Sequence, residues 1–236
     1  MRSLVVAASL IAAGFGPTAA HAGEWLTDPG SACTVWDPLP VSDETIGWTG
    51  GCREGKASGP GVLKIFRAGS LVERNDGKFV DGKQTGHGAR HNKSGRYVGT
   101  FKDGLFDGKG VYVAPDGMRY DGEWKNGNLD GHGKLSFSSG LKYDGQFRAN
   151  TYSGFGSMIF PDGSRYDGEY LLSTPHGTGV YKNASGSIYA GRWNHGCFRD
   201  GNRTTHLGVF AEDCGLSEDP SIAQAESAEP RDSRKN

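Results

Sequence analysis

The stretch "YDGEWKNGNLDGHGKLSFSSG", Tyr120 to Gly140, gathers the residue types of a reactive loop: His132 between two glycines, the carboxylates Asp121, Glu123 and Asp130, and aromatic rings. Two chemistries use such sets. A glycine loop can aim its N–H groups at a phosphate when a strand precedes it and a helix N-terminus follows. A His beside carboxylates can move protons or ligate a metal. Neither fits the surroundings. No helical pattern follows Gly133, and the triplet recurs as GPG, GHG, GKG, GFG and GTG along the chain. A feature repeated in nearly every unit belongs to scaffold chemistry.

The other reactive groups dissolve in the same way. His87 and His132 hold equivalent places two units apart, on the order of 20 Å along a sheet, too far for one metal or one catalytic pair. His176 is offset by one position, and His195 sits in a turn. Asp121, Asp144 and Asp167 form a column, but Arg119, Lys142 and Arg165 stand two residues before them on the same outer face. Equivalent carboxylates about 10 Å apart exceed the separation of a retaining glycosidase pair and lie at the limit for an inverting one. The column reads as a self-compensating charge ladder. No Ser, Thr or Cys lies in a nucleophile elbow. We expect no catalytic residue, no cofactor and no metal site.

The elements that position these residues follow from a period. Tyr97, Tyr120, Tyr143, Tyr166 and Tyr189 are spaced 23 residues apart, each opening a copy of one pattern. Weaker copies open at Trp48 and Asn75, giving about seven units over 48–201. Alternation within "YDGEW" places Tyr120, Gly122 and Trp124 on one strand face, and Asp121 and Glu123 on the other. "KNG" turns the chain, and a second strand follows with Leu135 and Phe137 inward, matched by Leu63, Tyr112, Met158 and Tyr181. A Gly between two rings marks close approach of another group, here a ring from a neighbouring unit. Each hairpin is marginal alone and stable only when stacked. The fold class is all-β: an elongated, single-layered, twisted antiparallel sheet of tandem hairpins.

The units resemble the MORN repeat family. The resemblance rests on Tyr97/Gly99/Phe101, Tyr120/Gly122/Trp124, Tyr143/Gly145/Phe147, Tyr166/Gly168/Tyr170 and Tyr189/Gly191/Trp193, each followed by glycines. Asn75 departs from the pattern, as do Cys52 in place of the second ring, and Asn150 and Ser173 in place of turn glycines. The resemblance, to small exported bacterial MORN proteins in particular, implies a binding module and leaves membrane phospholipid as an alternative ligand.

The ends differ from the array. Residues 1–22 have one early Arg2, an apolar run and Ala20-His21-Ala22, the marks of a signal peptide cleaved near Ala22-Gly23, so we expect a periplasmic or extracellular protein. Cys33, Cys52, Cys197 and Cys214 are then expected as two disulfides. Proximity in sequence pairs Cys33 with Cys52 and Cys197 with Cys214. They staple an N-terminal cap at 23–47 and a C-terminal cap at 202–214, and the polar segment 215–236 reads as a disordered tail. Without Arg2 the chain has 25 basic residues against 27 acidic, a net of −2. That balance gives no electrostatic reason to bind nucleic acid and counts against anionic lipid.

A protein or peptide partner is the leading expectation, with carbohydrate binding or catalysis last. The expected contact face is the aromatic one: Tyr97, Phe101, Tyr120, Trp124, Tyr143, Phe147, Tyr166, Tyr170, Tyr189 and Trp193. In a single layer its outer side can lie open, although the rings would equally serve as the only core available. Sheet-edge pairing is a related mode. The sequence does not specify the oligomeric state.

Overall fold

The computed structural model describes residues 23–216; the expected leader lies outside it, as does the tail beyond residue 216. Among the described residues every element is a strand except one turn of 3-10 helix, Glu212–Cys214. A short hairpin, β1 (Glu24–Thr27) with β2 (Thr34–Asp37), stands at the N-terminal end. β3 (Glu44–Trp48) and β4 (Gly51–Arg53) both pair with the long β5 (Lys56–Arg67). From there one antiparallel meander runs through β6 (Ser70–Val80), β7 (Lys83–Asn92), β8 (Gly95–Lys102), β9 (Leu105–Val113), β10 (Arg119–Lys125) and β11 (Asn128–Ser136). It continues through β12 (Lys142–Arg148), β13 (Thr151–Ile159), β14 (Arg165–Leu171), β15 (Thr174–Lys182), β16 (Ile188–Asn194), β17 (Cys197–Asp200) and β18 (Arg203–His206). The result is one open, twisted sheet of 18 strands.

Local chemistry builds each hairpin. β10 and β11 join through Asn126 and Gly127, at φ +48° and +81°, the two-residue turn whose twist matches that of the strands. Asn150 and Ser173 sit at the glycine place of their turns with φ +67°. They compensate with side-chain bonds that glycine lacks. Asn150 Oδ1 accepts from the Leu129 amide at 2.7 Å, and Ser173 Oγ accepts from the Tyr152 amide at 3.0 Å.

An unbroken row of paired glycines crosses the sheet from Gly61 to Gly191, one per strand. The reason lies on the inner face. A Cβ on Gly122 would stand 2.5 Å from the Gly133 Cα and 2.6 Å from the Tyr120 hydroxyl. The ring that fills the glycine space is therefore the hairpin's own Tyr, not a neighbour's as expected. The same Tyr hydroxyl donates to the Glu123 carbonyl at 2.8 Å, and Gly99, Gly145 and Gly168 repeat the arrangement. Gly191 departs from it, with φ +151° and Phe198 as its nearest neighbour.

Neighbouring hairpins then lock ring to ring. Tyr97 meets Trp124, Tyr120 meets Phe147, Tyr143 meets Tyr170 and Tyr166 meets Trp193, all edge-to-face with centroids 5.2–5.4 Å apart. Such pairs add about 0.5–1.5 kcal/mol each beyond the area they bury. Both disulfides join the cysteines paired by proximity, Cys33–Cys52 and Cys197–Cys214, with Cα atoms 5.7 and 5.5 Å apart. They close loops near the two ends of the sheet.

Candidate interaction surface

The rings expected to form the contact face are the core. Tyr97, Phe101, Tyr120, Trp124, Tyr143, Phe147, Tyr166, Tyr170 and Trp193 are at most 5% exposed. Tyr189 is partly buried, packs on Phe198 and lies under the Arg203 guanidinium, at 5.1 Å. The expectation of an open aromatic layer fails because rings of the same and of neighbouring hairpins close over one another. Burial also drives the tyrosine hydroxyls up from their usual range, Tyr97 to about 12 and Tyr120, Tyr143, Tyr152 and Tyr166 further.

The reactive-looking loop resolves into the same architecture. Gly131 adopts φ +102°, and Gly133 seats the Tyr120 ring. The Glu123 carboxylate accepts from the His132 amide at 3.3 Å, so it caps backbone rather than poising an imidazole. Register shifts beside Glu123, Gln146 and Glu169 mark a bulge in each hairpin, and Glu169 caps the Thr178 amide likewise at 3.0 Å. The charge ladder holds at Arg119–Asp121 (2.9 Å) and Arg165–Asp167 (2.6 Å). It breaks at Asp144, which pairs with His132 and Lys134 across the strand instead.

What remains for a partner is the outer face. Every glycine of the row points its missing side chain inward, so the outer face is bare backbone along that line. Residues on either side, two apart along each strand, rise as walls. The outcome is a groove of about 590 Å³ crossing β11 to β15, floored by Gly145, Gly156, Gly168 and Gly179. Its walls include Phe155 and Val180 among Asp144, Gln146, Ser157, Asp167 and Thr178. Phe155 is 64% exposed and Val180 42%. Ile159 and Ile188, also exposed, extend the apolar character on the same face. This surface was not legible in the outward column of Asp, Arg and Lys, which reads as a self-compensating charge ladder; the apolar residues at outward positions of β13, β15 and β16 were the available signal.

Two separately judged histidines are brought together. His176 and His195 have ring centroids 5.0 Å apart, while His87 and His132 remain two hairpins apart. No group of three or more metal-ligating side chains occurs among the described residues.

The repeated unit is matched by one known family over 76–95, 97–119, 120–142, 143–165 and 166–188. The matching family is the MORN repeat, in five tandem copies. No curated protein matches the chain. MORN repeats are generally protein- or membrane-lipid-binding modules rather than catalytic ones. Hairpins of the same register flank the five, through Trp48 on one side and Trp193 on the other. Among the described residues no helix is long and apolar enough to cross a membrane.

Proposed function

We propose that this chain is an exported, non-enzymatic MORN scaffold that binds a protein or peptide in the outer groove over β11–β15. The observation that carries the reading is the exposure of Phe155 and Val180 in a groove whose other walls are polar. An aromatic ring held open beside a backbone-floored groove can lose solvent on docking, and aromatic anchors dominate binding energy at such surfaces. Two disulfides support an oxidising destination and so the expected leader. Lipid binding by the MORN array is less favoured. Arg74, Arg119 and Arg165 are each tied to an Asp two residues on, which removes the basic excess that anionic headgroups need.

The test is capture from envelope and medium fractions with wild type and Phe155→Ser side by side. A protein retained by the wild type and lost by the variant supports the reading. Equal capture by both, together with flotation on anionic liposomes, replaces it with membrane association.

A further inference from the structure

Two turns of the array are capped by an Asp of the unit before. Asp107 Oδ2 accepts from the Asn126 amide and Asp130 Oδ2 from the Ala149 amide, both at 3.2 Å. His176 holds that place for the last turn, and its Nδ1 receives the His195 amide at 3.5 Å. The place is not fixed to Asp, since Ser153 holds it one unit earlier, and an imidazole is a poorer cap than a carboxylate. The residue it faces is another His.

We propose that His176 and His195 form a two-histidine site for a late first-row divalent cation, with Cu²⁺ bound most tightly. Metal–nitrogen distances of about 2.0–2.1 Å, with the ring centre about 1.1 Å further on, separate two imidazoles at tetrahedral angles by about 5 Å. The observed centroid separation is 5.0 Å, with the planes at 71°. His195 Nδ1–H donates to Asn194 Oδ1 at 2.8 Å. That bond leaves the Nε2 lone pair free and orients the ring, as outer partners do for metal-bound imidazoles. His176 gives up only the long 3.5 Å bond when it ligates.

The site is also held. The turn Asn194–Cys197 is fixed by the Gly196 amide on the Pro175 carbonyl at 2.7 Å and by the Cys197–Cys214 disulfide. His195 is exposed to solvent, which can complete the coordination shell. Imidazole selects copper, nickel and zinc over magnesium and calcium, and the affinity order peaks at Cu²⁺.

The test is equilibrium titration of the untagged protein with Cu²⁺, Ni²⁺ and Zn²⁺, and electron paramagnetic resonance of the Cu²⁺ complex. One tight ion per chain, coupled to two nitrogens, is expected. His176→Gln and His195→Gln should each weaken binding by at least about tenfold, and Asn194→Ala by about tenfold through its outer bond. His195 is exposed and His176 half-buried, so unchanged melting of the variants separates lost ligation from lost fold. His132→Gln and His206→Gln should bind as the wild type does. The proposal is overturned if the His176 and His195 variants bind undiminished, if one nitrogen is coupled, or if a hundredfold excess of Mg²⁺ displaces the ion.

Discussion

The β6–β7 hairpin and the β8–β9 hairpin share backbone register, glycine row and turn type, yet their cores are chemically opposite. Where β8 has Tyr97, β6 has Asn75, buried to 1% exposure. Where β9 has Tyr112, β7 has Arg90. Arg90 donates to Asn75 Oδ1 at 2.7 Å and to the Gly104 carbonyl at 2.9 Å, and pairs with Glu73 at 3.3 Å. Its guanidinium also lies 5.5 Å from the Phe101 centroid, where the aromatic ladder would place a ring. One polar cluster thus stands in for a tyrosine and keeps the column continuous toward Trp48 and Phe79, which meet at 4.6 Å. The repeat tolerates either solution because the backbone frame is supplied by glycines and turns. Directional bonding in one unit replaces non-directional packing in the next, and the two fail differently.

The largest contrast should come from Arg90→Met. Removing the cation takes the ion pair from the half-buried Glu73, which keeps its bonds from Asn75 and Asn92, and leaves the buried Asn75 Oδ1 unsatisfied, a loss of about 3 kcal/mol. Tyr112→Leu at the equivalent place should cost less than half of that. Urea midpoints of the two variants decide it, and equal losses would show that the polar cluster contributes no more than packing.

Next come the glycines. A Cβ at Gly99 stands 2.4 Å from the Gly110 Cα and 2.5 Å from the Tyr97 hydroxyl, while at Gly77 the nearest atoms are the Gln84 amide at 3.0 Å and the Gly88 Cα at 3.3 Å. We expect Gly99→Ala to cost about 3 kcal/mol by overpacking and Gly77→Ala about 1 kcal/mol, as read from thermal melts.

Alkaline pH should separate the two cores as well. The buried tyrosines hold their protons in the fold above about pH 10, where the unfolded chain releases them. Their contribution is therefore complete below about pH 10 and is lost as pH rises through 12. With the cluster at Asn75 carrying no tyrosine, hydrogen exchange between pH 10 and 11.5 should show the β8–β16 amides loosening before those of β6.

The smallest effect expected is a gain. The Tyr170 hydroxyl is buried without a hydrogen-bond partner, so Tyr170→Phe should raise stability by about 1 kcal/mol. Tyr120→Phe should lower it by a similar amount, because that hydroxyl donates to Glu123.

Much of this was readable from the chain. Tyr, Gly and Trp at positions 120, 122 and 124, repeated every 23 residues, specify strand, inward face and hairpin, because alternation and turn chemistry are local. Cysteines 19 and 17 residues apart specify their pairing for a related reason, since short loops close most readily.

The tertiary structure decided the rest. Alternation tells which side a ring leaves from but not whether anything covers it. Closure over Tyr97 comes from Trp124, 27 residues later, through the geometry of the sheet. The groove exists because the ring side of the glycine row is filled and the other side is bare. Arg90 under Phe101 and His176 beside His195 are likewise meetings across hairpins. Residues separated by 11 or 19 positions become neighbours only after the repeats have stacked in register.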